Sequence, residues 1–224
     1  MSDARRRDHE RRAAGTGALE DEAARLQALA RAGELRPGAL EIAAYCGHEA
    51  ARLIAVAPAP TSLEYWVRGL ERWGTTPLVV AALAAAALVA PAWRESPLDA
   101  DPVERALEAA RAWVACPCRA HEDAAFAAGH AADRVADGAG PAAARTRAAI
   151  QVASYAAWSA RAPQPPTNDD DEPTPVTDGD GPAQAAAFAR EVLGSDERLW
   201  PAVRRAVLAW ALDPVDRTTT SPGG

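Results

Sequence analysis

The chain is expected to fold as an all-α, irregular multi-helix bundle. Three observations carry this. Alanine dominates the composition, and alanine is the best intrinsic helix former. Strand formers are scarce, with Phe 2 and Tyr 3 among 224 residues. Residues 74–93, GTTPLVVAALAAAALVAPAW, hold no charge at all, while Arg72 and Arg94 stand just outside. A helix that is apolar on every side has to be buried on every side. Residues 76–93 are therefore read as a central helix with the others packed around it.

The first segment, 1–17, is polar and arginine-rich and reads as a disordered lead. A helix over 18–32 follows, with Leu19, Ala23, Leu26 and Ala30 on one face and Gly33 as its stop. Arg36-Pro37-Gly38 makes a turn. Two short helices are expected next, over 39–46 and 48–55, separated by Gly47. Such glycine-broken pairs follow solenoid logic, although no fixed period runs through the chain. Beyond Pro58 and Pro60, Thr61 and Glu64 read as a capping box for a helix carrying Leu63, Trp66, Val67, Leu70 and Trp73. Thr76 is the expected cap of the central helix, with Pro77 at its first position and Pro91 ending or kinking it.

Asp101, Pro102 and Glu104 repeat the start signal for a helix that Pro117 breaks. An alanine-rich helix over 119–136 follows, with Phe126 as its one large anchor, and another runs from Pro141 to about residue 160. The helical domain is thus 18–161. Residues 162–182, APQPPTNDDDEPTPVTDGDGP, read as a disordered acidic, proline-rich linker. A C-terminal helical pair is expected over 183–212, docked on the bundle, with Leu199, Val203, Val207 and Trp210 as a stripe. Residues 213–224 read as a loose tail.

Formal net charge is −7, and all 24 basic residues are arginines mixed with acids along the helices. Nucleic-acid binding rests on a basic face, so that class is set aside. Three cysteines do not make a disulfide framework, and the polar N-terminal residues are not a secretory signal. A reducing cytoplasm is the expected setting. The charge-free stretch is at the short limit for a membrane span and interrupted by Pro91, so no membrane role is expected.

The sharpest chemical signal is Cys116-Pro117-Cys118-Arg119-Ala120-His121. Two thiols and an imidazole within six residues are soft-metal ligands, and Cys46-Gly47-His48 offers two more. The plain alternative is a helix–helix corner at Pro117 with cysteines behaving as small apolar residues. Cys118 at a helix start, with His121 one turn on, is also the arrangement that lowers a thiol pKa. The corner reading is preferred, so no metal ligand, cofactor or catalytic residue is assigned. His130 reads as a surface or satisfied core histidine. The acid run 169–172 lacks the spacing of a calcium loop. No phosphate loop, dinucleotide fingerprint, nucleophile elbow or H-E-x-x-H occurs.

The run DPVERALEAARAWVACPCRAHEDAAFAAGHAADRVADG, followed by AAARTRAAIQVASYAAWSA, resembles alanine-rich helical bacterial proteins described as toxin-immunity proteins. The residues from Asp101 to Trp113 carry most of the likeness, which covers 99–160. Cys116-Pro117-Cys118 stands where that group has a polar turn. The resemblance implies an all-helical protein that masks a partner, and it carries over no functional residue. The expected function is therefore a non-catalytic protein-binding module: an adaptor, accessory subunit or immunity-type protein. Its partner would be another protein, and a second copy could meet it through the C-terminal helices. The alternative is a metal-binding or thiol-dependent protein using Cys116, Cys118 and His121.

Overall fold

The computed structural model describes residues 3–58, 60–160 and 180–215. It is all-α: among the described residues there are eleven α-helices and no strand. The chain divides into two compact units, 1–59 with 208–224, and 60–207.

The first unit holds α1 (Asp3–Arg31), α2 (Ala39–Tyr45) and α3 (Glu49–Arg52). Helix α1 begins at Asp3, not near Ala18 as expected. Alanine, arginine and glutamate are strong helix formers, and no proline interrupts this stretch. Ala23 and Leu26 of α1 pack with Ala43, Ala44, Ala50 and Ala51, and Leu208 and Leu212 close over that cluster. The expected helix over 48–55 is a single turn, Glu49–Arg52, with His48 as its cap. The His48 ring accepts from the backbone N–H of Ala51 at 3.3 Å. After α11 (Leu199–Leu212), the chain returns here: Val215 N–H donates to Glu34 O at 2.8 Å. The Arg36 guanidinium lies 4.5 Å from the Trp210 ring centre, and burial pulls the Arg36 pKa down. Beyond residue 215 the expected tail lies outside the described residues.

The second unit starts with α4 (Leu63–Gly69), continued by a 3₁₀ turn (Leu70–Trp73). Its cap is Ser62, not Thr61: the Ser62 hydroxyl accepts from Tyr65 N–H at 3.3 Å. Helix α5 (Thr75–Val89) is the predicted apolar helix, two residues earlier than Thr76 capping would place it. Gly74 caps it with φ 90°, a left-handed geometry that glycine adopts without strain. Helix α5 is buried along most of its length, but not on every side. Val80, Leu83, Ala84 and Leu88 are half-buried and Ala87 is exposed. Pro91 ends it, as expected, and opens the short α6 (Pro91–Arg94). Among the described residues no helix is long and apolar enough to cross a membrane.

Helix α7 (Asp101–Ala115) takes its cap contact from Asp99, whose carboxylate accepts from Asp101 N–H at 3.1 Å. Helices α8 (Arg119–Gly138) and α9 (Ala144–Trp158) follow, and α7, α8 and α9 pack on one another. Helix α9 also touches α5, α6 and α10 (Asp180–Leu193), so it shares the centre of the unit with α5. Its buried residues are mostly alanines, which let neighbouring backbones come close. The inner face of α8 is Glu122, Ala125, Gly129, Ala132 and Ala136. Phe126 is not its anchor: the ring is 40 % exposed, because the close α8–α9 approach has no room for it. Of the expected linker 162–182, the part up to 179 lies outside the described residues, and Asp180 already belongs to α10. Helix α10 packs against α9, α5 and α4, with Ala185 and Ala189 fully buried. Pro201 sits in the first turn of α11, where a missing N–H does no harm.

Candidate functional site

Pro117 stops α7 at Ala115, and the chain bends at Cys116 before Cys118 caps α8. The corner brings the three residues singled out above together. One ligand-type atom each of Cys116, Cys118 and His121 lies within 4.8 Å of the others. Cys116 is exposed and Cys118 partly so. Among the described residues no fourth His, Cys, Asp or Glu joins this group. Cys46 and His48 belong to the first unit, where Cys46 is buried and His48 is the cap of α3.

The imidazole sets the chemistry of the corner. His121 Nδ1 lies 2.9 Å from the Cys116 carbonyl oxygen and 3.4 Å from Cys118 Sγ. A carbonyl oxygen only accepts, so Nδ1 carries the hydrogen and donates it. A protonated Nδ1 has no lone pair to offer a cation. The Cys118 thiol is held below the usual cysteine range, first by the backbone N–H of His121 and then by the Cys116 thiol and the N–H of Ala120, against desolvation. Cys116 is pushed up, chiefly by its contact with Cys118 and the charge there. Of the two thiols, Cys118 is the one whose anion the neighbouring backbone N–H groups favour.

Cys118 also borders a cleft of about 420 Å³. One wall is the start of α5, Gly74 to Thr76, and the other is Trp113, Pro117, Cys118, Arg119 and Glu122. Glu122 is buried, 3.6 Å from the Arg119 guanidinium, which also pairs with Asp123 at 3.1 Å. The cleft thus joins a partly exposed thiol to an ion pair at the first turn of α8.

A second feature was not visible in the sequence. An aromatic row crosses α8, α9 and α10: Phe126 to His130 at 4.5 Å between ring centres, His130 to Trp158 at 5.2 Å, Trp158 to Tyr155 at 5.3 Å and Tyr155 to Phe188 at 5.8 Å. Phe126 and His130 are exposed and the other three rings half-buried. Gly129 makes the row possible, because only a residue without Cβ lets the Trp158 indole lie against α8. Compared with known proteins, the chain matches no family model, no curated protein and no solved structure.

Proposed function

We propose that the chain is a non-catalytic module that binds another protein through the aromatic row of its second unit. The observation that carries this reading is the row itself: five rings on three helices, two of them exposed and three half-buried. Aromatic side chains are enriched at the centres of protein interfaces, because they bury large area while losing few rotamers. Four of the five rings lie within 99–160, the stretch that resembles immunity-type proteins. A protein of that type acts by masking its partner, which needs a rigid face and no reaction centre. The net charge of −7 supports a protein partner over nucleic acid, and the free cysteines support a reducing, cytoplasmic setting.

The test is affinity purification of the full chain and of the Phe126→Ala, His130→Ala double variant from the native host. A protein held by the parent and lost from the equally helical variant supports the reading. A bound set that the variant leaves unchanged overturns it.

A further inference from the structure

We propose that Cys116 and Cys118 are a reversible dithiol–disulfide exchange site, with Cys118 the attacking thiolate and Cys116 the resolving thiol. The proposal is independent of the aromatic row. Residues two apart in sequence have Cα atoms at most about 7 Å apart. Disulfides span Cα separations of about 4.4 to 6.8 Å. The two sulfurs already lie within 4.8 Å of each other. Pro117 fixes one backbone torsion between them, so their relative orientation changes little on oxidation. His121 Nδ1 lies 3.4 Å from Cys118 Sγ, and the backbone N–H of His121 favours the Cys118 anion. Both sulfurs are reachable from solvent, and Cys118 opens on the cleft, where the departing group of an incoming disulfide can sit.

The donor set would also interest a soft cation. Two features favour exchange. The imidazole nitrogen nearest the sulfurs is engaged as a donor to Cys116 O at 2.9 Å. Among the described residues no fourth side chain completes a tetrahedron.

The reaction balances as follows. The Cys118 thiolate attacks one sulfur of a low-molecular-weight disulfide, RSSR. The S–S bond of RSSR breaks, a Cys118–S–S–R bond forms, and RS⁻ leaves and takes a proton from water. Cys116 then loses its proton to solvent and attacks the Cys118 sulfur. The mixed disulfide breaks, the Cys116–Cys118 bond forms, and a second RS⁻ departs. Two protein thiols are oxidised and RSSR is reduced to two RSH. A bridge over so short a loop is strained, and strained exposed disulfides are the exchangeable ones. This bridge would pass its oxidation on to other thiols and would not serve as a staple.

The full chain is treated with glutathione disulfide, quenched by alkylation and digested at arginine. Both cysteines then fall in one peptide, Ala112 to Arg119. The parent is expected to lose two hydrogens in that peptide and to regain them with excess reduced glutathione. Cys116→Ser should stop at a glutathione adduct on Cys118. Cys118→Ser should slow the oxidation of Cys116 at least about tenfold. The buried Cys46 serves as the unreactive control. A parent peptide that stays reduced, or a Cys118→Ser variant oxidised as fast as the parent, overturns the proposal. So does one equivalent of zinc that protects both thiols and is lost in either serine variant.

Discussion

A Cβ placed on Gly129 would lie 2.7 Å from both Cδ1 and Nε1 of Trp158, and 3.3 Å from the Cβ of Ala157. Glycine inside a helix costs about 1 kcal/mol relative to alanine, so something must offset it here. The offset is the close packing of the Trp158 indole in the space where a Cβ of residue 129 would stand. Gly129→Ala is therefore expected to destabilise the protein by roughly 1–3 kcal/mol despite its better helix propensity. Urea denaturation measures this. A variant as stable as the parent would show that α8 and α9 can part without penalty.

Leu78 and Leu83 lie on the same apolar helix and should respond differently to charge. Leu78 is 0 % exposed, whereas Leu83 is half-buried. An unpaired aspartate at position 78 cannot reach water, and Leu78→Asp should cost more than about 3 kcal/mol. Leu83→Asp should cost clearly less, because its carboxylate can turn outward. Equal losses by thermal or chemical denaturation would contradict the exposed strip on α5.

Glu104 joins α7 to the end of α6. It accepts from Arg94 Nε at 2.7 Å and from the buried Trp93 Nε1 at 3.4 Å. The Arg94 hydrogen bond is the main cause that holds its carboxyl below the ordinary value of 4.5. A lowered carboxylate pKa stabilises the fold above the unfolded value, and that stability is lost as pH falls through the folded value. Glu104→Gln should thus be less stable than the parent at pH 7, and the difference should shrink as pH drops below 4.5. A difference independent of pH would mean that the contact acts by packing alone.

Local patterns in the sequence carry the fold class and α5, because an uncharged helix advertises its own burial. The caps stand one or two residues from the expected ones: Ser62 in place of Thr61, and Asp99 supplying the contact expected of Asp101. Several neighbouring polar residues can serve, and only the final backbone path selects one. The place of α9 was less legible, since Arg145, Arg147 and Gln151 dilute its apolar signal while its alanines pack on five neighbours. Phe126 stands outside for the related reason that helix spacing decides whether a large ring fits inside. The Cys116, Cys118 and His121 group was legible because its members lie within six residues. The aromatic row was not, because its rings come from three helices whose pairing no local pattern encodes.

The thiols offer a pH test that needs no partner. With the Cys118 pKa lowered and that of Cys116 raised, alkylation by iodoacetamide should begin at Cys118. Its rate should level off at lower pH than that of an ordinary cysteine. His121→Ala keeps the backbone N–H that is the main cause of the lowered Cys118 pKa, so its profile should stay near that of the parent, whereas Cys116→Ser, which removes the neighbouring thiol, should move it to higher pH. Identical profiles for Cys116 and Cys118 in the parent would remove the asymmetry on which their separate roles depend.

The C-terminal helices offer a last test, of whether α10 belongs to the fold of the second unit or merely visits it. Helix α10 packs against α9, α5 and α4. Ala183, Ala185, Ala186, Ala189 and Val192 are buried there, and Arg190 reaches Glu64 at 3.1 Å. The ion pair is half-exposed and contributes little. Small side chains provide little area each, so α10 holds through close contact along its length and not through one large anchor. Leu199 and Val203 of α11 are buried as well, and the Arg204 guanidinium lies 4.6 Å from the Trp200 ring centre and 5.8 Å from that of Trp66. A chain cut between α9 and α10 therefore loses a covalent link but none of these contacts. An engineered protease site within 165–177 should be cleaved to give two pieces that co-elute in gel filtration. Their helical signal should match that of the uncut protein, with a lower and concentration-dependent melting temperature. Val192→Asp should weaken the association of the cut pieces more than it destabilises the uncut chain, because the tether no longer supplies a high effective concentration. If the piece from α10 onward elutes alone while the remainder keeps its helicity, α10 is an appended arm and the aromatic row ends at Tyr155.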